Sequence, residues 1–287
     1  MFKILPPLRV HTWGGLGSQL FAIALADDLF HRFPKRTVRI ILHTGGVTLR
    51  DPEVTDVFPE FNYGYVQDFK PYSRATNGEM EKSNNGLRKF IKILAFKTGF
   101  LAFCNDDAET NNLSPWVLSI RGHYAYRNIN SDFLEKLFNA MIRQCPINDQ
   151  NQDCSIHYRL GDLLSINEKS PIAANSIISE YSRIDKEIEF SKVVIFSDSP
   201  IEARSRFSSF GEKELVFPDI STLEVLSQSV HSKYFIGTSS KISFWIAAIR
   251  AVVHERKSSL PESNANQYST LLGDKLKLIQ TYLSNSQ

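Results

Sequence analysis

Residues 8–43 read LRVHTWGGLGSQLFAIALADDLFHRFPKRTVRIILH, and this stretch decides the fold. The short apolar run 8–12 enters a glycine turn, after which Leu20, Phe21, Ile23, Ala24, Leu25, Leu29 and Phe30 recur at helical spacing. Pro34 stops that helix, and the β-branched run 37–43, bounded by Gly45 and Gly46, reads as a second strand. Strand, helix, strand is a βαβ unit, and the right-handed crossover rule then demands a parallel sheet.

The same alternation returns downstream, with strands expected at 154–158, 193–196, 215–217 and 234–236. Helices are expected at 173–184, 200–207, 221–230 and 240–250, with a closing helix at 267–282. The polar stretch 144–153, QCPINDQNQD, reads as a linker between a lobe at 1–148 and a lobe at 149–287. The expected fold class is therefore α/β, with two Rossmann-like lobes.

Composition narrows the function classes. A chain of 287 residues with 42% hydrophobic and 22% charged side chains excludes disorder as its main state. Lys plus Arg minus Asp plus Glu is 33 − 31 = +2, too balanced for a protein that coats nucleic acid. Cys104, Cys145 and Cys154 are widely spaced and form no CxxC, which argues against a disulfide framework or structural zinc. The start, with Pro6 and Pro7, has no signal-peptide core, and no run reaches the length of a membrane span, so a cytoplasmic protein is expected. The sequon Asn112-Leu113-Ser114 is of a kind that arises by chance.

The polar, glycine-punctuated stretch 70–86 reads as a loop. The segment that follows puts Leu87, Phe90, Ile91, Leu94 and Leu101 on one helical face and Arg88, Lys89 and Lys92 on the other, with Ile93, Phe96 and Phe100 blurring the division. It reads either as a helix packed on the sheet or as a basic amphipathic helix resting peripherally on an anionic inner membrane.

Four stretches carry chemistry. Gly15-x-Gly17 lacks the third glycine of a dinucleotide fingerprint, having Leu20 there, and the second strand ends in His43 instead of an acid. What it offers is close backbone approach at a helix start, with Ser18 as cap and the Gln19 amide for hydroxyl groups, or a structural turn alone. The second stretch, 155–162 (SIHYRLGD), lies where a strand ends. There the Arg159 guanidinium suits phosphate oxygens and Gly161 permits a sharp turn. Asp162 could pin the loop through backbone N–H groups, and His157 could be a satisfied core histidine. Two later strand ends add Asp198, in FSDS, and the helix-opening run GTSSKISFW at 237–245, with Ser239, Ser240 and Ser243. Free N–H groups at that helix start favour a diphosphate, though the serines also suit plain N-capping. Taken together the strand ends point to a nucleoside diphosphate pocket.

GGLGSQLF, HYRLGD, FSDS and GTSSKISFW, in that order, resemble the motifs of the bacterial α1,2-fucosyltransferases (glycosyltransferase family 11), approximately GGLGNQLF, HxRRGD, FSDD and SNSSFSWW. Arg121-Gly122-His123-Tyr124 loosely resembles the family's mid-chain glycine-aromatic segment. The resemblance implies a GT-B-type glycosyltransferase that transfers fucose from GDP-fucose to a galactose or related hydroxyl, with inversion and without a metal or other cofactor, in surface-polysaccharide or O-antigen synthesis. It places His157, Arg159, Asp162, Asp198, Ser239, Ser240 and Ser243 on the donor. Gly15, Gly17, Ser18 and Gln19 border the acceptor cleft, and the acceptor is a glycan or lipid-linked glycan. Three departures stand out: Leu160 replaces the second arginine, Ser18 an asparagine, and Ser199 the second acid of FSDD. These leave open a different GDP-sugar, a catalytically silent nucleotide-sugar-binding scaffold, or an unrelated α/β enzyme acting on a phosphorylated metabolite. His11, Asp27, His123 and Glu180 can each be argued as general base, and no catalytic residue is assigned.

Overall fold

The computed structural model describes residues 6–44, 52–67, 86–146, 153–164, 170–211, 213–263 and 273–283. Gly45, Gly46 and all of the loop at 70–86 except Gly86 lie outside the described residues. The chain forms two compact units, Met1–Ile129 and Asn130–Gln287, each built on its own sheet.

In the first unit β1 (Leu8–Trp13), α1 (Leu16–Arg32) and β2 (Val38–His43) form the expected βαβ, with β1 and β2 parallel from Leu8↔Val38 to Trp13↔His43. Leu16, Leu20, Phe21, Ile23, Leu25 and Leu29 of α1 are buried, which ties the helix to the sheet. Next come α2 (Val54–Val57), β3 (Asn62–Val66), α3 (Leu87–Lys97), β4 (Leu101–Phe103), α4 (Asp107–Asn111) and β5 (Ser119–Arg121). The parallel sheet runs β3-β2-β1-β5-β4.

The second unit opens on α5 (Ser131–Gln144), which packs on later helices of that unit; Phe133 meets Trp245 edge-on at 6.1 Å. The division between units therefore falls before this helix and not in the polar stretch 144–153 that follows it. Then come β6 (Cys154–His157), a single 3-10 turn (Gly161–Leu164), α6 (Ala174–Ile188), β7 (Lys192–Phe196), α7 (Pro200–Arg206), β8 (Glu214–Val216) and α8 (Thr222–His231). β9 (Tyr234–Gly237), α9 (Lys241–Val253), β10 (Ser258–Pro261) and β11 (Ile279–Tyr282) complete it. The order is β11-β10-β9-β6-β7-β8, with every pair parallel.

Of the closing helix expected at 267–282, residues 267–272 lie outside the described residues, and the described part is not an α-helix. Gly273–Leu278 is 3-10 and Ile279–Tyr282 is a strand, because β10 offers an open edge and the buried Tyr282 hydroxyl donates to Gly237 O at 2.8 Å. Both units are Rossmann-like. In each, strand order reverses beside one strand, between β1 and β5 in the first and between β6 and β9 in the second. In open parallel sheets, ligands bind outside the carboxyl ends of the strands at such reversals.

Candidate functional site

The reversal in the second unit brings together two stretches about eighty residues apart in sequence. β6 ends at His157 and β9 at Gly237, which are register partners. The Thr238 hydroxyl joins them, donating to His157 O at 2.9 Å and accepting from Arg159 N–H at 3.1 Å. Ser243, fully buried, accepts from Thr238 N–H at 3.1 Å and shares a 2.7 Å hydrogen bond with His157 Nδ1. Burial pulls the His157 pKa down to about 4; Asp198 opposes the shift and Arg159 adds to it. The ring is thus neutral at pH 7. When Ser243 donates to Nδ1, Nε2 carries the proton and is a hydrogen-bond donor.

Asp198, at the end of β7, fixes the loop that carries Arg159: its Oδ1 accepts from Leu160 N–H and Gly161 N–H, both at 2.8 Å. A Cβ on Gly161 would stand 2.1 Å from Asp198 Oδ2, so this position requires glycine for the close approach. Asp198 thus pins this loop; the Asp162 backbone lies in the 3-10 turn, and its side chain, for which the same role was expected, is outside the described residues. Leu160, where the resembled family has its second arginine, is fully buried in the unit's hydrophobic core and faces away from solvent.

The N-cap of α9 is Ser240, whose Oγ accepts from Ile242 N–H at 3.1 Å, and Ser239 is exposed beside it. His157, Arg159, Asp198, Ser239, Ser240 and Ser243 thus gather at one sheet edge. Thr238 is the residue that sequence reasoning missed. Its place between a strand-ending glycine and the serines was the available signal.

In the first unit the expected roles shift. The N-cap of α1 is Gly15, with no side-chain cap, so Ser18 lies inside the helix and is not the cap. Gln19 is buried, its amide donating to Gly14 O at 2.9 Å and accepting from Val54 N–H at 3.1 Å, so it ties the turn to α2. Glu53 Oε2 accepts from Leu16 N–H at 3.2 Å, setting a carboxylate at the helix start beside Gly15 and Gly17.

The polar side chains of that edge come instead from the strand ends. His11 Nδ1 and His43 Nε2 are 2.8 Å apart, Trp13 stacks on His43 at 4.1 Å, and the Arg121 guanidinium lies 5.8 Å from the Trp13 ring centre. Burial, then Arg121, His43 and Arg9, lower the His11 pKa to about 3. Gly122, at φ 148°, lets the chain turn from Arg121 to His123 against Cys104 O, which a Cβ would meet at 1.9 Å.

Of the four groups argued as a base, His11 and His123 stand at this carboxyl edge. Asp27 lies roughly 16 Å along α1 from its start, toward the other end of the sheet. Glu180 is buried in the second unit, paired with Arg183 at 2.8 Å and accepting from the Ser259 hydroxyl at mid-strand. Among the described residues, no three His, Cys, Asp or Glu side chains gather as metal ligands, and Cys104, Cys145 and Cys154 are free thiols. No helix of the described residues is long and apolar enough to cross a membrane.

Neither a protein-family model nor a curated protein sequence matches the chain. Among solved structures it is similar to POFUT1 in complex with GDP, at 10% identity and a TM-score of 0.48, covering 91% of this chain and 99% of that one. It is also similar to the Escherichia coli heptosyltransferase WaaC with ADP-2-deoxy-2-fluoro heptose, at 11% identity and a TM-score of 0.44, covering 88% of each chain. A third likeness is to the family 9 glycosyl transferase from Veillonella parvula, at 9% identity and a TM-score of 0.44, covering 89% of this chain and 81% of that one.

Proposed function

We propose that the chain is a glycosyltransferase that uses a GDP-sugar, GDP-fucose by the motif resemblance, and transfers the sugar to a hydroxyl of a galactose-containing acceptor. The observation that carries this reading is the meeting of HYRLGD and GTSSKISFW at the β6/β9 reversal, joined by the 2.7 Å bond between His157 and Ser243. The acceptor oxygen attacks the anomeric carbon from the face opposite the diphosphate. The bond from that carbon to the diphosphate oxygen breaks, GDP leaves with the electron pair, and the acceptor proton passes to a base or to water.

Charge builds on the departing diphosphate. Arg159 and the start of α9 oppose that charge, the work a divalent cation does elsewhere, so the reading requires no metal. His157 is held neutral by burial and, in the tautomer in which Ser243 donates to Nδ1, adds an Nε2–H hydrogen bond without adding charge. The acceptor is assigned to the first unit's carboxyl edge, at Trp13, Arg121 and His123, with Gly15 and Gly17 shaping the turn beside them. Leu160 fills the core, so the side chain at this position takes no part in the site.

The test is GDP release from GDP-fucose and GDP-mannose, each with and without galactosides, with UDP-galactose as control. Acceptor-dependent release from GDP-fucose is expected. Release from GDP-mannose alone would replace the donor sugar. Binding without release would leave a silent nucleotide-sugar scaffold, and binding of phosphate ligands regardless of base would indicate a different α/β enzyme.

A further inference from the structure

Helix α3 is the one element of the first unit whose apolar face has no cover among the described residues. Leu87, Phe90, Ile91 and Leu94 recur at i, i+3, i+4 and i+7, and are 73%, 63%, 55% and 50% exposed. None of its described side chains is buried, whereas α1 is buried along most of its length. The helix is held to the sheet through its exit: Phe96 meets Phe103 of the edge strand β4 at 5.6 Å, and Phe100 O accepts from Leu118 N–H. Trp116, 58% exposed, belongs to the segment that returns past this exit.

A helix of 11 residues is too short to stand alone in water, so its stability calls for a surface against that face. The sequence specifies the chemistry of that surface. From Leu87 to Asn105 there are four basic residues, Arg88, Lys89, Lys92 and Lys97, and no acidic one. Adjacent apolar and purely basic chemistry on one short helix, with an exposed tryptophan close by, matches anionic headgroups above acyl chains.

We propose that α3 docks the chain peripherally on an anionic lipid bilayer. Apolar side chains enter the boundary between headgroups and acyl chains, and the net positive charge that the sequence gives this segment attracts lipid phosphates. Such docking would hold the first unit, to which the acceptor is assigned, where a lipid-linked glycan is presented.

The full-length chain is sedimented with phosphatidylcholine vesicles, with and without a large share of phosphatidylglycerol, at low and physiological salt. Partitioning is expected to rise about tenfold or more with the anionic lipid and to weaken with salt. The variants Phe90→Ser/Leu94→Ser and Lys89→Glu/Lys97→Glu should each lose about tenfold or more, while the folded chain keeps its melting temperature and its stabilisation by GDP. Equal binding to neutral vesicles, or none to anionic ones, overturns the proposal. If binding is absent and a concentration-dependent dimer is lost in Phe90→Ser/Leu94→Ser, a second copy covers the face instead. The GDP readout keeps this outcome separate from failure of the donor reading.

Discussion

Gly161 has no side chain because Asp198 stands where one would go. The pair should therefore behave as a unit. Gly161→Ala is expected to cost about 2 kcal/mol or more alone, through overpacking, and far less in an Asp198→Ala background. Asp198→Ala by itself strands two loop N–H groups and should cost about 1 to 3 kcal/mol. Urea unfolding of the four proteins measures the coupling, and simple additivity would contradict the contact. The buried Leu160 gives a second expectation at this scale. Leu160→Arg restores the family's motif but places a guanidinium in the core, so it should destabilise by several kcal/mol and not improve donor binding. Arg159 and His157 were legible in the sequence because a strand end, a charged fork and a glycine coincide there. Thr238 was not, because its hydroxyl acts across β6 and β9, a pairing that only the folded sheet reveals.

Elements were readable in proportion to how local their cause is. The βαβ at residues 8–43 follows from its own periodicity and punctuation, and it forms as expected. β11 does not follow from its surroundings in sequence: the leucines and lysines of Gly273–Leu278 just before it fit a helix, yet β10 presents an unpaired edge and Tyr282 finds Gly237 O. Gly273, inside that stretch, was the signal that the helix could not run through. Arg250 shows the same dependence on tertiary context. Fully buried, its guanidinium donates to Ser229 O, Val230 O and Ser232 O at the end of α8, and to Lys233 O and Lys257 O beyond it. It thereby closes a helix end that has no glycine cap. Arg250→Met should cost about 3 kcal/mol or more, read by denaturant titration, since several carbonyls lose their donor at once.

At the scale of the whole molecule, folding is linked to pH through histidines held neutral. Burial lowers His157 and His254 to about 4 and His11 to about 3, whereas an unfolded histidine titrates near 6.5. The unfolded chain thus binds protons first as pH falls. The stability these groups contribute is complete above about pH 6.5 and drains away as pH drops through the interval down to about 3 to 4. Stability measured from pH 7 to 4 should decline, and His157→Gln should reduce the slope by one proton, about 1.4 kcal/mol per pH unit near pH 5. A flat profile would contradict the burial of these rings.

The two-unit plan was legible because alternating strands and helices restart after a polar stretch. The placement of α5 was not, because its amphipathic face is as compatible with one neighbour as with another until α8 and α9 are in place.

The central claim is that the β6/β9 reversal holds a guanosine diphosphate. The most direct measurement is the melting temperature of the native chain and of Arg159→Ala with GDP, UDP and ADP. Each nucleotide is supplied far above its dissociation constant, where a site-bound ligand adds about 2.7 kcal/mol at a hundredfold excess. The account predicts a GDP-selective rise in the native chain that Arg159→Ala loses. No rise with GDP, or an equal rise in the variant, would contradict it.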